Sequence, residues 1–92
     1  MKRIIVLPSF EKSVRHLNSQ EKKLLVKSLE AFNEYLTSHH APFGFRLKKI
    51  DHDKYEFRVD LRLRIILKSE GDVYYLVLAG SHEDVLRHLK NF

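Results

Sequence analysis

Apolar positions change their spacing along the chain, and each change marks a different kind of element. Ile4 to Leu7 is a continuous apolar run closed by Pro8, which predicts a short strand covered on both faces. Pro8-Ser9 turns the chain, and Ser9 is placed to cap a helix whose apolar residues Phe10, Val14 and Leu17 recur at helical spacing. Asn18 followed by Glu21 has the spacing of a capping box. A longer helix should start there, with Leu24, Leu25, Ser28, Leu29, Phe32, Tyr35 and Leu36 as its stripe and Lys22, Lys23, Lys27, Glu30 and Glu34 toward solvent. The two helices then form a hairpin with one shared apolar seam.

After the polar run Thr37 to Pro42, alternation replaces helical periodicity. Phe45 and Leu47, with Lys49 at the end, share one strand face, and Arg46 and Lys48 share the other. Asp51-His52-Asp53 turns the chain, and in the next strand Tyr55, Phe57 and Val59 alternate with Glu56, Arg58 and Asp60. A third strand reads from Leu61 to Leu67, with Leu61, Leu63, Ile65 and Leu67 inward and Arg62 and Arg64 outward. Glu70-Gly71-Asp72 closes a hairpin into Val73–Ala79, a run without alternation that predicts a central strand buried on both sides. Ser81, with Asp84 three residues on, should cap a last helix bearing Val85, Leu86 and Leu89.

The fold class is therefore α+β: an N-terminal strand, a two-helix hairpin, antiparallel sheet strands and a short C-terminal helix, as one domain over residues 1–92. One sheet face takes the helices. The other should carry Arg46, Lys48, Glu56, Arg58, Asp60, Arg62 and Arg64.

Composition agrees with a folded domain, since 43% of the 92 residues are hydrophobic and six are Phe. With no cysteine, neither a disulfide framework nor a thiolate metal site holds the fold, which suits a reducing cytoplasm. The run Ile4 to Leu7 is too short for a secretory or membrane-spanning segment. A net charge of +5 attracts polyanions such as nucleic acid or an acidic protein, and it also serves solubility.

Side chains far apart in sequence converge across neighbouring strands, and guanidinium groups bind phosphate oxygens bidentately. The arginine face thus reads as a phosphate surface, or as a solvated sheet with cross-strand Arg–Glu and Arg–Asp pairs, which would be structurally ordinary. His82 follows Gly80-Ser81 at the end of the buried strand and can reach that face. Imidazole titrates near neutral pH and suits proton transfer. His39 and His40 lie in a loop, His52 in a turn, and His16 and His88 on exposed helix faces, with no spacing that matches a zinc site. No Walker, Gly-x-Gly-x-x-Gly or Gly-x-Ser-x-Gly sequence is present, so neither metal nor nucleotide cofactor is expected.

The segments Pro8-Ser9-Phe10-Glu11-Lys12, Phe45-Arg46-Leu47-Lys48-Lys49-Ile50, Tyr55-Glu56-Phe57-Arg58-Val59, Leu63-Arg64-Ile65-Ile66-Leu67 and Leu78-Ala79-Gly80-Ser81-His82-Glu83-Asp84-Val85-Leu86 succeed one another at suggestive spacings. In that order the chain resembles the RelE/ParE superfamily of bacterial type II toxin–antitoxin systems over nearly its whole length. Many relatives read Gly-His-Arg-x-x-x-Tyr near the C-terminus, whereas here His82 replaces the arginine and Leu86 falls where the tyrosine would. The Gly-Ser-His ending looks like the YafQ branch.

The resemblance implies a cytoplasmic, metal-independent endoribonuclease that cleaves messenger RNA on the ribosome by attack of a ribose 2′-OH on the adjacent phosphate. Its partners would be a cognate antitoxin, messenger RNA and the ribosome. By the same resemblance Arg64 binds the scissile phosphate, His82 is general acid or base, and Arg58 and Asp60 complete the catalytic set. Which residue is the base stays open among His82, Asp60 and Glu56. Arg46, Lys48, Lys49 and Arg62 would hold the RNA. The alternatives are a ParE-like poison of DNA gyrase, which shares the fold, and a catalytically inactive RelE-like protein that only binds an antitoxin.

Overall fold

The computed structural model describes residues 3–38 and 47–90. Strand β1 (Arg3–Val6) leads into helices α1 (Pro8–Val14) and α2 (Ser19–Ser38), strands β2 (Leu47–Lys49), β3 (Lys54–Arg58), β4 (Arg64–Glu70) and β5 (Val73–Gly80) follow, and helix α3 (His82–Lys90) comes last. The α+β order is the predicted one. The sheet runs β1-β5-β4-β3-β2. β2 to β5 form an antiparallel meander, whereas β1 lies parallel to β5, which makes the sheet mixed. β5 is interior, but the middle position belongs to β4.

Local chemistry explains where the helices start. Asn18 N–H donates to Glu21 Oε1 at 2.9 Å and Glu21 N–H to Asn18 Oδ1 at 2.8 Å, the reciprocal capping box that opens α2. α1 starts differently from expectation. Pro8 fills its first turn, where a missing N–H costs nothing, and Leu7 at the cap position makes no side-chain bond. Ser9 Oγ donates instead to the Val77 carbonyl at 2.6 Å, and Ser13 Oγ accepts the Ala79 N–H at 2.9 Å. These bonds satisfy β5 beyond Leu76, where pairing with β1 has ended.

The main core lies between the helical hairpin and one sheet face. Phe10, Leu25, Phe32 and Leu36 pack there with Phe57, Ile65, Leu67, Tyr74 and Leu76. Phe32 anchors α2, with its ring centroid 5.8 Å from that of Phe57 and 5.4 Å from that of Tyr74. At the β4–β5 turn Gly71 adopts φ 61°, a left-handed conformation that glycine tolerates without steric cost.

Several expectations are corrected. β1 is not covered on both faces: Ile5 and Val6 are 41% and 45% exposed, because the strand stands at the sheet edge. The third strand starts at Arg64 rather than Leu61, and Leu61 is 85% exposed. Asp60 Oδ1 accepts the N–H groups of Arg62 and Leu63 at 2.8 and 2.6 Å, which bends the chain into a turn where alternation alone predicted a strand. Finally, the far sheet face is not wholly polar. A register shift at Ile66/Leu67 leaves Val77 as the extra residue of β5, and Ile66 and Val77 are buried with Val85 of α3.

Candidate nucleic-acid interface

Strand register assembles the site. Arg58 pairs with Arg64 across β3 and β4, and Arg64 pairs with Gly80 across β4 and β5. One transverse row therefore carries Arg58, Arg64 and Gly80 on strands about 4.8 Å apart, and Ser81 and His82 follow directly from its end. The next row holds Lys48, Glu56 and Ile66. Because partners in register share a face, Lys48, Glu56, Arg58 and Arg64 all lie on the side opposite the helical hairpin.

Arg64 is the most constrained of these residues. Its Nη1 donates to Glu56 Oε1 at 2.6 Å, and the two side chains are only 14% and 13% exposed. The bond is short and charge-assisted. Arg64 Nε is buried with no hydrogen-bond partner among the described residues, a donor that an anionic oxygen would satisfy. Arg58 and Lys48 are exposed beside this pair.

A second capping box holds His82 in place. Ser81 N–H and Oγ donate to Asp84 Oδ2 at 3.1 and 2.9 Å, and Asp84 N–H donates back to Ser81 Oγ at 3.1 Å. The hydrogen bonds from the Ser81 hydroxyl and backbone hold the Asp84 carboxyl below the usual carboxylate range, with burial opposing them and Arg87 assisting. Gly80 is needed for this closeness, since a Cβ there would stand 3.0 Å from Asp84 Cβ. His82 is exposed at the first turn of α3.

Other predicted site residues lie off the row. Asp60 and Arg62 belong to the β3–β4 turn, with the Asp60 carboxylate already bonded to backbone. Lys49 pairs in register with Tyr55 and so faces the hairpin side of edge strand β2. Arg46 is outside the described residues. His88, expected on an exposed face, is half-buried and lines a groove of about 560 Å³ between α1 and α3 with His16, Lys12, Leu78 and Arg87. Among the described residues, no group of three or more His, Asp or Glu is placed to hold a metal ion. No described helix is long and apolar enough to cross a membrane.

A two-helix hairpin on one face of a small mixed sheet, with a short terminal helix against the other, is the architecture of RelE-like toxins. No protein-family model matches the chain, and no curated protein matches it in sequence. The likeness is to solved structures. A chain of the RelB-RelE antitoxin-toxin complex from Methanococcus jannaschii superposes with a TM-score of 0.69 at 17% identity, covering 91% of this chain and 96% of that one. The metal-bound toxin from Helicobacter pylori gives 0.68 at 18% identity, with 92% and 99% covered. A chain of the E. coli DinJ-YafQ complex gives 0.67 at 14% identity, with 92% and 98% covered. The fold is thus that of the RelE-like toxins, and these scores do not set the YafQ branch apart.

Proposed function

We propose that this chain is the toxin of a type II toxin–antitoxin system and a metal-independent endoribonuclease that cuts messenger RNA on the ribosome. The observation that carries this reading is the row Arg58–Arg64–Gly80, which sets guanidinium groups beside the strand end from which His82 projects. Arginine neutralises the charge that develops on a phosphorane, and a histidine within reach moves a proton. The cognate antitoxin is the proposed protein partner. Two of the structural neighbours come from antitoxin–toxin complexes, which supports that choice.

Primer extension on total RNA after induction, read beside a gyrase supercoiling assay, tests the proposal. The expected result is transcripts cut at codon-phased positions, with 5′-hydroxyl and cyclic or 3′-phosphate ends and unaffected gyrase. Cleavage should persist in translation extracts holding only the magnesium that ribosomes need. Intact transcripts with inhibited gyrase would favour the ParE-like reading. Intact transcripts with active gyrase would leave a protein that only binds its antitoxin.

A further inference from the structure

Beyond Gly80 the arginine row meets a groove, and strand pairing explains why. β1 pairs with β5 only as far as Leu76, so no described strand stands beside Ala79 and Gly80. The groove of about 560 Å³ between α1 and α3 takes that lane, with Leu78, Ala79, Gly80 and Ser81 in its lining. It lies one strand spacing beyond Gly80 and two beyond Arg64, about 10 Å from the proposed phosphate contact. The β5 edge has its bonds made there: Ser9 Oγ donates to the Val77 carbonyl and Ser13 Oγ accepts the Ala79 N–H, which disfavours an added strand. Leu17 and Leu78 supply apolar surface, while Lys12 and Arg87 bring hydrogen-bond donors and Glu21 and Asp84 acceptors. A nucleobase asks for that mixture, an apolar ring face with donors and acceptors at its edge. Imidazoles enter the lining from two elements, His16 in the turn after α1 and His88 on α3. His16 is exposed on a fixed backbone: its N–H donates at 3.1 Å to the carbonyl of Ser13, the residue whose hydroxyl is bonded to β5.

We infer that this groove is a nucleobase subsite, which takes the base of a nucleotide next to the cleaved linkage and stacks it on His16; the inference rests on the ribonuclease reading above. A base must leave its own stack to enter, and the ring of His16 replaces the neighbour it loses. Once seated, the base anchors the RNA backbone two strand spacings from Arg64 and holds the linkage over the arginine row. His16 acts by holding the substrate and moves no proton. Its ring therefore matters, and its ionisation does not.

The test uses programmed ribosomes and messengers in which one nucleotide, on either side of the cleaved linkage in turn, lacks its base. His16→Ala should lower kcat/KM on the intact messenger about 5–150-fold, the loss that one stacking contact brings. His16→Phe keeps a ring without the imidazole nitrogens and should cut at close to the wild-type rate. At one of the two positions, removal of the base should slow wild type by a similar factor and leave His16→Ala no slower than it already is. Effects that multiply at both positions would overturn the subsite while leaving the ribonuclease reading intact. So would a wild-type rate for His16→Ala on the intact messenger, which would leave the groove to a protein segment. A His16→Phe variant as slow as His16→Ala would overturn stacking as the contact. A wild-type protein that cuts no messenger would remove the ribonuclease reading and this inference with it.

Discussion

Arg64 and Glu56 are each held by the other, so neither can be replaced without consequence for its partner. Arg64→Ala removes a phosphate contact of the kind whose loss costs about 10²–10³-fold in rate. It also strands a largely buried carboxylate, at a cost of about 1–3 kcal/mol. Cleavage should therefore vanish while the melting temperature falls by several degrees; unchanged melting would show that Glu56 finds another partner. Arg64→Lys keeps the charge without the planar fork and should recover stability better than activity. His82 is exposed, so His82→Ala should relieve growth arrest on expression without the antitoxin and leave melting unchanged. A variant that stays fully toxic would exclude His82 from the chemistry. His82 and Arg64 were legible as candidates from residue type and position. A cross-strand Arg–Glu pair was legible as one reading of the face, but not that Arg64 would be the arginine to hold Glu56, because that depends on the register of a hairpin that sets them eight residues apart.

At the scale of elements, features fixed by neighbours three residues apart were legible and those fixed by distant cover were not. Both capping boxes, at Asn18/Glu21 and Ser81/Asp84, form as their spacing predicts. The alternation Leu61, Leu63, Ile65, Leu67 looked like one strand, but the first of these belongs to a turn stitched by Asp60. The apolar run of β1 likewise could not say how many neighbours it would have. Ser81→Ala should lower stability by about 1 kcal/mol through loss of the α3 cap. The depressed pKa of Asp84 adds a pH dependence: its bonds favour the ionised form, so their stabilisation is present above the unfolded value of about 3.9 and is lost as pH falls through the lower folded one. The melting difference between wild type and Asp84→Ala should thus be largest near neutrality and shrink in acid. A gap that stays constant across that range would assign the effect to packing against Gly80.

On the scale of the whole molecule, the basic face and the groove between α1 and α3 are two separate places where the antitoxin proposed above could bind through an acidic segment. Contacts over Arg58, Lys48 and the Arg64 row should weaken as salt screens them. Affinity that is constant between low and high salt would locate the main contacts elsewhere. The parallel pairing of β1 with β5 bears on a different matter, the order in which the protein is made. β1 is the first described strand to leave the ribosome and β5 the last, so β1 waits for a partner until almost all of the described chain has emerged. His82 follows β5 immediately, and the site closes at the same late moment. If the chain acts as proposed above, it would then stay harmless, while nascent, to the ribosome that is making it. Closing so long a loop costs entropy before the contact rewards it, which favours late docking of β1. Ile4→Ala, which trims the half-buried β1 residue opposite Tyr74, should therefore speed unfolding and barely change the folding rate. Equal slowing of folding would show that β1 docks early.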